Sequence, residues 1–267
     1  MQGLLEWLPV SSKSMIILYL ANAAALKGET AYSIAIFLHF STATSALLMF
    51  RSEYWAVTKS LTSWSEVRCG EGAVLLRNLV VTSVVSILFG APLYFLARQY
   101  ILEAGGLILN SSVGLLLVTT GLLLGLSNRS GGQKTIKNVG LKDSVLAGVT
   151  QGLSAVPGLS RSGLVASALL LRGLDKEAAL RLTFIISVPV IYGVALADLA
   201  FGFGFFRSSV NEVGLENMLA ASIVGFVVSL CCLRALLKMA ARLNFSRFLL
   251  GFGGLTLGLT VLSALLR

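Results

Sequence analysis

The chain has 267 residues, 56% of them hydrophobic and only 12% charged, with a mean hydropathy of +0.86 and a net charge of +9. This composition excludes a soluble enzyme or partner-binding module and marks an integral membrane protein, its length suiting one polytopic domain, 1–267. The positive charge would suit nucleic acid, but in a membrane protein basic residues mark cytoplasmic loops, so their positions decide.

In chain order, residues 1–26 are apolar but interrupted within "QGLLEWLPVSSKS" (2–14) by a proline and several hydroxyls, so no single helix is expected to run through lipid there. A re-entrant helical hairpin fits this pattern. Spans follow at about 31–50, 78–97 and 109–127, each long enough to cross a hydrocarbon core of about 30 Å. The polar stretch "SNRSGGQKTIKN" (127–138) reads as the linker between halves. Residues 143–172 carry an echo of the opening phrase, "QGLSAVPGLSRS" (151–162), and form the second expected hairpin, followed by spans at 182–201, 218–235 and 248–265. A basic start and a small-residue cleavage site are both missing, so no cleavable signal peptide is expected.

Aligning Pro9 with Pro157 brings Ser12, Lys13 and Ser14 onto Ser160, Arg161 and Ser162, a P-x-x-S-[K/R]-S pattern written twice, with Gln2-Gly3 and Gln151-Gly152 upstream. Hairpin plus three spans therefore occurs twice, in 1–127 and 143–267, and an odd span number turns the second copy upside down. The expected fold is an all-α polytopic membrane protein with six transmembrane helices and two re-entrant hairpins in an inverted-topology repeat. Basic residues test the orientation. With the first hairpin entering from outside, segments 51–77, 128–142, 172–181 and 234–247 carry 15 Lys and Arg, against 5 in the outer segments. The positive-inside rule favours this arrangement and accounts for the charge without nucleic acid.

At membrane depth this layout leaves Glu6, Lys13, His39, Arg161 and Asp198. A charge at the bilayer centre costs about 2.5 to 3.5 kcal/mol or more, so such groups face partners or a cavity. Glu6 and Arg161, one on each hairpin, could be a structural ion pair. Ser11, Ser12, Ser160 and Ser162 beside them point instead to a phosphate, because hydroxyls, helix-start N–H groups and a forked guanidinium all donate to anionic oxygens. An adjacent Glu suits a divalent cation or proton transfer.

"QGLLEWLPVSS" and "PGLSRSG" resemble the two signature segments of the undecaprenyl-diphosphate phosphatase family, the bacitracin-resistance type of membrane lipid pyrophosphatase, and the resemblance covers essentially the whole chain. It implies hydrolysis of a polyprenyl diphosphate to the monophosphate at the outer face of the plasma membrane, which recycles the lipid carrier, in a multi-pass protein needing Mg²⁺ or Ca²⁺. By the resemblance, Glu6 takes a metal or acid–base role and Ser12 that of nucleophile or phosphate ligand. Arg161 holds the diphosphate with Ser160 and Ser162 beside it, and Gln2, Ser11, Lys13 and Gln151 belong to the substrate-binding set. The expected partners are the lipid and the membrane, no nucleic acid, and a homodimer is left open.

One departure stands out. After the serines the family reads S-G-H, whereas this chain reads Lys13-Ser14-Met15. Met can neither accept a proton nor attack phosphorus. Three substitutes are available: Glu6 activating Ser12 or a water, Lys13 supplying charge, or His39 bringing a base from the neighbouring span. The alternative function is a non-catalytic polyprenyl-phosphate transporter or flippase. Remaining features get plain readings: "GFGGLTLG" (251–258) allows close helix approach, Trp55, Trp64 and Tyr94 suit interfacial belts, and Phe201, Phe203, Phe205 and Phe206 form another belt or guide an isoprenoid tail. Cys69, Cys231 and Cys232 lack the number and spacing of a disulfide framework or zinc site.

Overall fold

The computed structural model describes residues 1–8, 11–24, 26, 28–62, 71–103, 106–127, 132–156, 159–201, 204–239 and 245–265. Pro9, Pro157, Trp64, Cys69, Phe203 and residues 128–131 of the expected linker lie outside them. The described residues are mainly helical and contain no β-strand: α1 (Gln2–Leu5), α2 (Ser12–Asn22), α3 (Gly28–Met49), α4 (Arg51–Thr62), α5 (Glu71–Glu103), α6 (Gly106–Ser127), α7 (Leu141–Leu153), α8 (Arg161–Leu171), α9 (Lys176–Phe201), α10 (Phe205–Val213), α11 (Leu215–Met239) and α12 (Phe245–Leu265), with a 3₁₀ turn at Ile136–Asn138. Four helices, α3, α5, α9 and α11, are long and apolar enough to cross a membrane, which makes this a multi-pass membrane protein. The other two expected spans fall on α6 and α12.

Short helices stand where the repeated phrases predict a break. Residues 1–26 divide into α1 and α2, and 143–172 fall on α7 and α8. Helix α8 is buried on all sides from Ser162 to Leu170, as befits an apolar helix at the centre of a bundle. Contacts come in matching pairs: α1 lies on α11 and α7 on α5, α3 lies on α11 and α9 on α5, while α3 meets α9 and α6 meets α12.

The Gln-Gly pairs explain part of this packing. A Cβ at Gly3 would stand 2.4 Å from the Gly225 carbonyl oxygen of α11, and one at Gly152 would stand 3.0 Å from the Ser86 carbonyl oxygen and the Gly90 nitrogen of α5. Without hydrocarbon-driven attraction between helices in lipid, such backbone approach is a main source of association. Gly3→Ala is therefore expected to destabilise the detergent-solubilised protein by about 1–3 kcal/mol, the usual cost of overpacking a tight site. Thermal unfolding checks this, with Gly251→Ala, whose Cβ would meet nothing within 4 Å, as the neutral control.

Prolines inside α5 (Pro92) and α9 (Pro189) interrupt the backbone ladder. In α9 the freed carbonyl is that of Ile185, and the Tyr54 hydroxyl of α4 donates to it at 2.6 Å. Nearby, Arg181 donates to Glu53 through Nε (3.0 Å) and Nη2, tying α9 to α4. Burial alone would push the Glu53 carboxyl up, but hydrogen bonds from Ser52 and Arg181 outweigh it and hold the group below its ordinary 4.5. A depressed carboxylate stabilises the fold above its unfolded value and loses that contribution as pH falls. Thermal stability should accordingly drop as pH is lowered below 4.5, and Glu53→Gln should flatten that slope in a pH series of melting curves.

The base of α7 is anchored separately. Buried Asp143 accepts from the Gly140 N–H at 2.8 Å, from Arg172 Nε at 2.7 Å and from Lys134. Backbone bonds Lys134 N–H to Gly173 (2.9 Å) and Asp175 N–H to Lys134 (3.0 Å) fasten the described part of the expected linker to the turn between α8 and α9.

Candidate active site

Helix α1 is one turn long, and Glu6 is its C-cap residue. The carboxylate is buried (4% exposed) and surrounded by donors drawn from four elements. Gln2 Nε2 donates to Oε2 at 2.8 Å from within α1, and Ser12 Oγ, the first residue of α2, donates to the same oxygen at 2.6 Å. Arg161 Nη2, from the first residue of α8, takes Oε1 in an ion pair. His39 Nε2, from α3, stands 3.3 Å from Oε2. Residues from 2 to 161 thus converge on one carboxylate.

The imidazole is oriented by its other nitrogen, since His39 Nδ1 lies 2.5 Å from the Ala35 carbonyl one turn back. A carbonyl can only accept, so Nδ1 carries a proton there, and the Nε2 edge facing Glu6 shares or exchanges a proton with the carboxylate. Met15 is part of the apolar packing against the main core. The ring nitrogen beside Glu6 comes from α3.

Helix α8 begins at Arg161, with Ser160 as its N-cap, whose hydroxyl accepts from the Gly163 N–H at 3.2 Å. Ser160 and Ser162 hydroxyls are 3.3 Å apart, and Ser162 Oγ donates across to the Leu8 carbonyl at 2.8 Å. Ser11, the N-cap of α2, is buried. Lys13 reaches the end of α7: its Nζ donates to the carbonyls of Ala155 (2.8 Å) and Ser154 (3.3 Å) and lies 5.6 Å from the Tyr32 ring centroid. Gln2 and Gln151, the paired motif glutamines, are both buried, and among the described residues each leaves its Oε1 without a hydrogen-bond partner. Gln151 Nε2 faces the Ile186 carbonyl at 3.4 Å.

Of the residues singled out in the sequence, Glu6, Ser12, Arg161, Gln2 and His39 form one contact network, and Ser160 and Ser162 flank Arg161. Gln151 sits apart from these contacts on the α9 side, and the side chain of Asp198 lies outside the described residues. Sequence reasoning missed four participants. The Leu8 carbonyl and the carbonyls of Ser154 and Ala155 leave no signal because every residue has one. Trp7 stands next to Glu6, is fully buried, donates from Nε1 to Ser229 at 2.7 Å and meets Phe184 edge-on at 5.1 Å. Its place inside the quoted motif was the available clue.

Chemically, the arrangement is a buried carboxylate touching a hydroxyl, an imidazole and a guanidinium, set at two helix starts. Such a set can deprotonate a hydroxyl and hold an anionic oxygen. Comparison with known proteins narrows the chemistry. The chain is 34% identical over 262 residues to a protein named undecaprenyl-diphosphatase from Methanothrix thermoacetophila, covering 98% of this chain and 94% of that one. It is 36% identical over 245 residues to a protein of the same name from Pyrobaculum aerophilum (90% and 86%), and 33% identical over 256 residues to another from Methanopyrus kandleri (96% and 91%). Residues 1–255 match the family described as bacitracin resistance protein BacA, and since that match takes in every residue of the Glu6 cluster, the chain belongs to this family.

Proposed function

We propose that this protein hydrolyses undecaprenyl diphosphate to undecaprenyl monophosphate and phosphate at the outer face of the plasma membrane, with the Glu6 cluster as its active site. The observation that carries this reading is the convergence of both motif segments on one carboxylate: Ser12, Gln2 and Arg161 all bond Glu6. Arg161 takes the terminal phosphate as a bidentate anion ligand, with Ser160, Ser162 and Ser11 lending hydroxyls. Ser12 Oγ gives its proton to Glu6 and attacks the terminal phosphorus in line. The bridging P–O bond breaks, the lipid monophosphate leaves, and water releases phosphate from the serine. His39 holds or returns the proton through its contact with Glu6, the task that Met15 has no group to perform.

The family's divalent cation, Mg²⁺ or Ca²⁺, fits the residues present. Hard cations take oxygen donors, and Glu6, the unpartnered Gln2 Oε1 and the Ser12 hydroxyl supply an oxygen-only set. The described residues contain no group of three or more His, Cys, Asp or Glu, so diphosphate oxygens and water would complete the shell. A cation held there would supply neutralisation of the diphosphate charge.

Six spans with two re-entrant hairpins in an inverted repeat is the topology we favour. The matching contacts of α1 with α11 and α7 with α5, and the 15 basic residues in the inner segments, support it. A non-catalytic lipid-phosphate carrier finds no support in the relatives, which are named for the phosphatase activity. The test is phosphate release from undecaprenyl diphosphate by purified protein, with and without a chelator. Chelator-sensitive release is expected; no release under any metal would sink the reading.

A further inference from the structure

We propose that Lys13 is a positioning residue for Arg161: by pinning the end of α7 to the first hairpin, it sets the segment from which the guanidinium projects. This rests on the phosphatase reading above and adds to it the device that holds the anion ligand in place.

Each hairpin sends one basic residue to the end of the other hairpin's first helix. Arg161 of the second reaches Glu6, the C-cap of α1, and Lys13 of the first reaches the carbonyls of Ser154, the C-cap of α7, and Ala155. The sequence makes these two halves counterparts, since Lys13 and Arg161 occupy the same position of the repeated pattern. They differ in what they meet. Four residues after Gln2 stands Glu6, whereas four residues after Gln151 stands Ala155, so the first half offers a carboxylate and the second only backbone oxygens.

The cation in each half suits its target. A guanidinium fork matches a carboxylate or phosphate, and a compact ammonium with three donors matches two carbonyls at the negative end of a helix. Tyr32 of α3 lies 5.6 Å from that ammonium and holds it from a third element. Between the pinned Ala155 and Arg161 lie only five residues, and Ser162 fastens the far side through the Leu8 carbonyl at 2.8 Å. Arg161 is thus flanked on both sides by contacts to the first hairpin, Ala155 with Lys13 and Ser162 with Leu8.

The experiment measures binding of farnesyl methylenediphosphonate, a non-hydrolysable diphosphate, and phosphate release from undecaprenyl diphosphate, in wild type, Lys13→Met, Lys13→Arg, Arg161→Ala and the Lys13→Met/Arg161→Ala double variant. Lys13→Met is expected to weaken analogue binding about tenfold, raising KM more than it lowers kcat, and Lys13→Arg to restore it to within about threefold. In the Arg161→Ala background the same change should cost less than about twofold, because the residue it positions is gone. Unchanged binding in Lys13→Met, or an equal loss with and without Arg161, overturns the proposal. Lys13→Leu, which also removes every donor to the carbonyls, takes the place of Met if that variant does not fold, with the same two outcomes. A wild type that neither binds the analogue nor releases phosphate counts against the phosphatase reading; one that does both while Lys13→Met matches it counts against Lys13 alone.

Discussion

Glu6→Gln should lower phosphate release by about a thousandfold, within the range expected when a positioned proton acceptor is removed. The substitution keeps the side chain's shape and one oxygen for Arg161, so loss of charge is the main change. In the native protein Ser12 donates to Glu6 at 2.6 Å and His39 faces the same carboxylate oxygen at 3.3 Å, so the carboxylate is the acceptor that the hydroxyl already meets. Single-turnover release in detergent, with analogue binding measured beside it, separates the effects. Loss of turnover with binding retained supports Glu6 as the proton acceptor, and release within about tenfold of wild type would remove it from that role.

Arg161→Ala should weaken diphosphate binding about a hundredfold and cost the fold as well. Removing one partner of a buried pair leaves the other charge uncompensated, at about 3–5 kcal/mol. Here the side chains of Arg161 and Glu6 are 17% and 2% exposed, so solvent screens Glu6 very little. The double variant Glu6→Gln/Arg161→Ala discriminates between the two roles of the pair. With no stranded charge it should regain most of the lost thermal stability and none of the activity. Recovery of activity would contradict a ligand role for Arg161, and failure to recover stability would mean the ion pair is not what the single variant breaks.

Much of the site was legible before the structure because polar residues at membrane depth are costly, and this chain concentrates them in two matching phrases. Glu6, Ser12 and Arg161 stand out on those grounds alone. His39 was only one of three substitutes for the missing motif histidine; its distance to Glu6 depends on how α3 lies against α1, which residue spacing does not encode. Lys13 was read toward charge supply at the phosphate, and the structure places its ammonium on the carbonyls of Ser154 and Ala155. Those acceptors are backbone atoms, identical in every residue, so composition carries no trace of them. Gly3 and Gly152 belonged to the repeated phrase, but the helices they touch could not be named from it.

By itself, the sequence determined the membrane class, the paired helical breaks and the signature segments that place the chain in its family. These follow from hydropathy, proline and hydroxyl placement, and motif spacing, all of which act within a few residues. The tertiary structure alone decided which groups meet: Arg161 with Glu6, 155 positions apart, the imidazole of α3 beside Glu6, and Lys13 at the end of α7. Those pairings depend on the relative rotation and depth of separate helices, set by close backbone contacts such as Gly3 on α11 and Gly152 on α5, and no local rule fixes them.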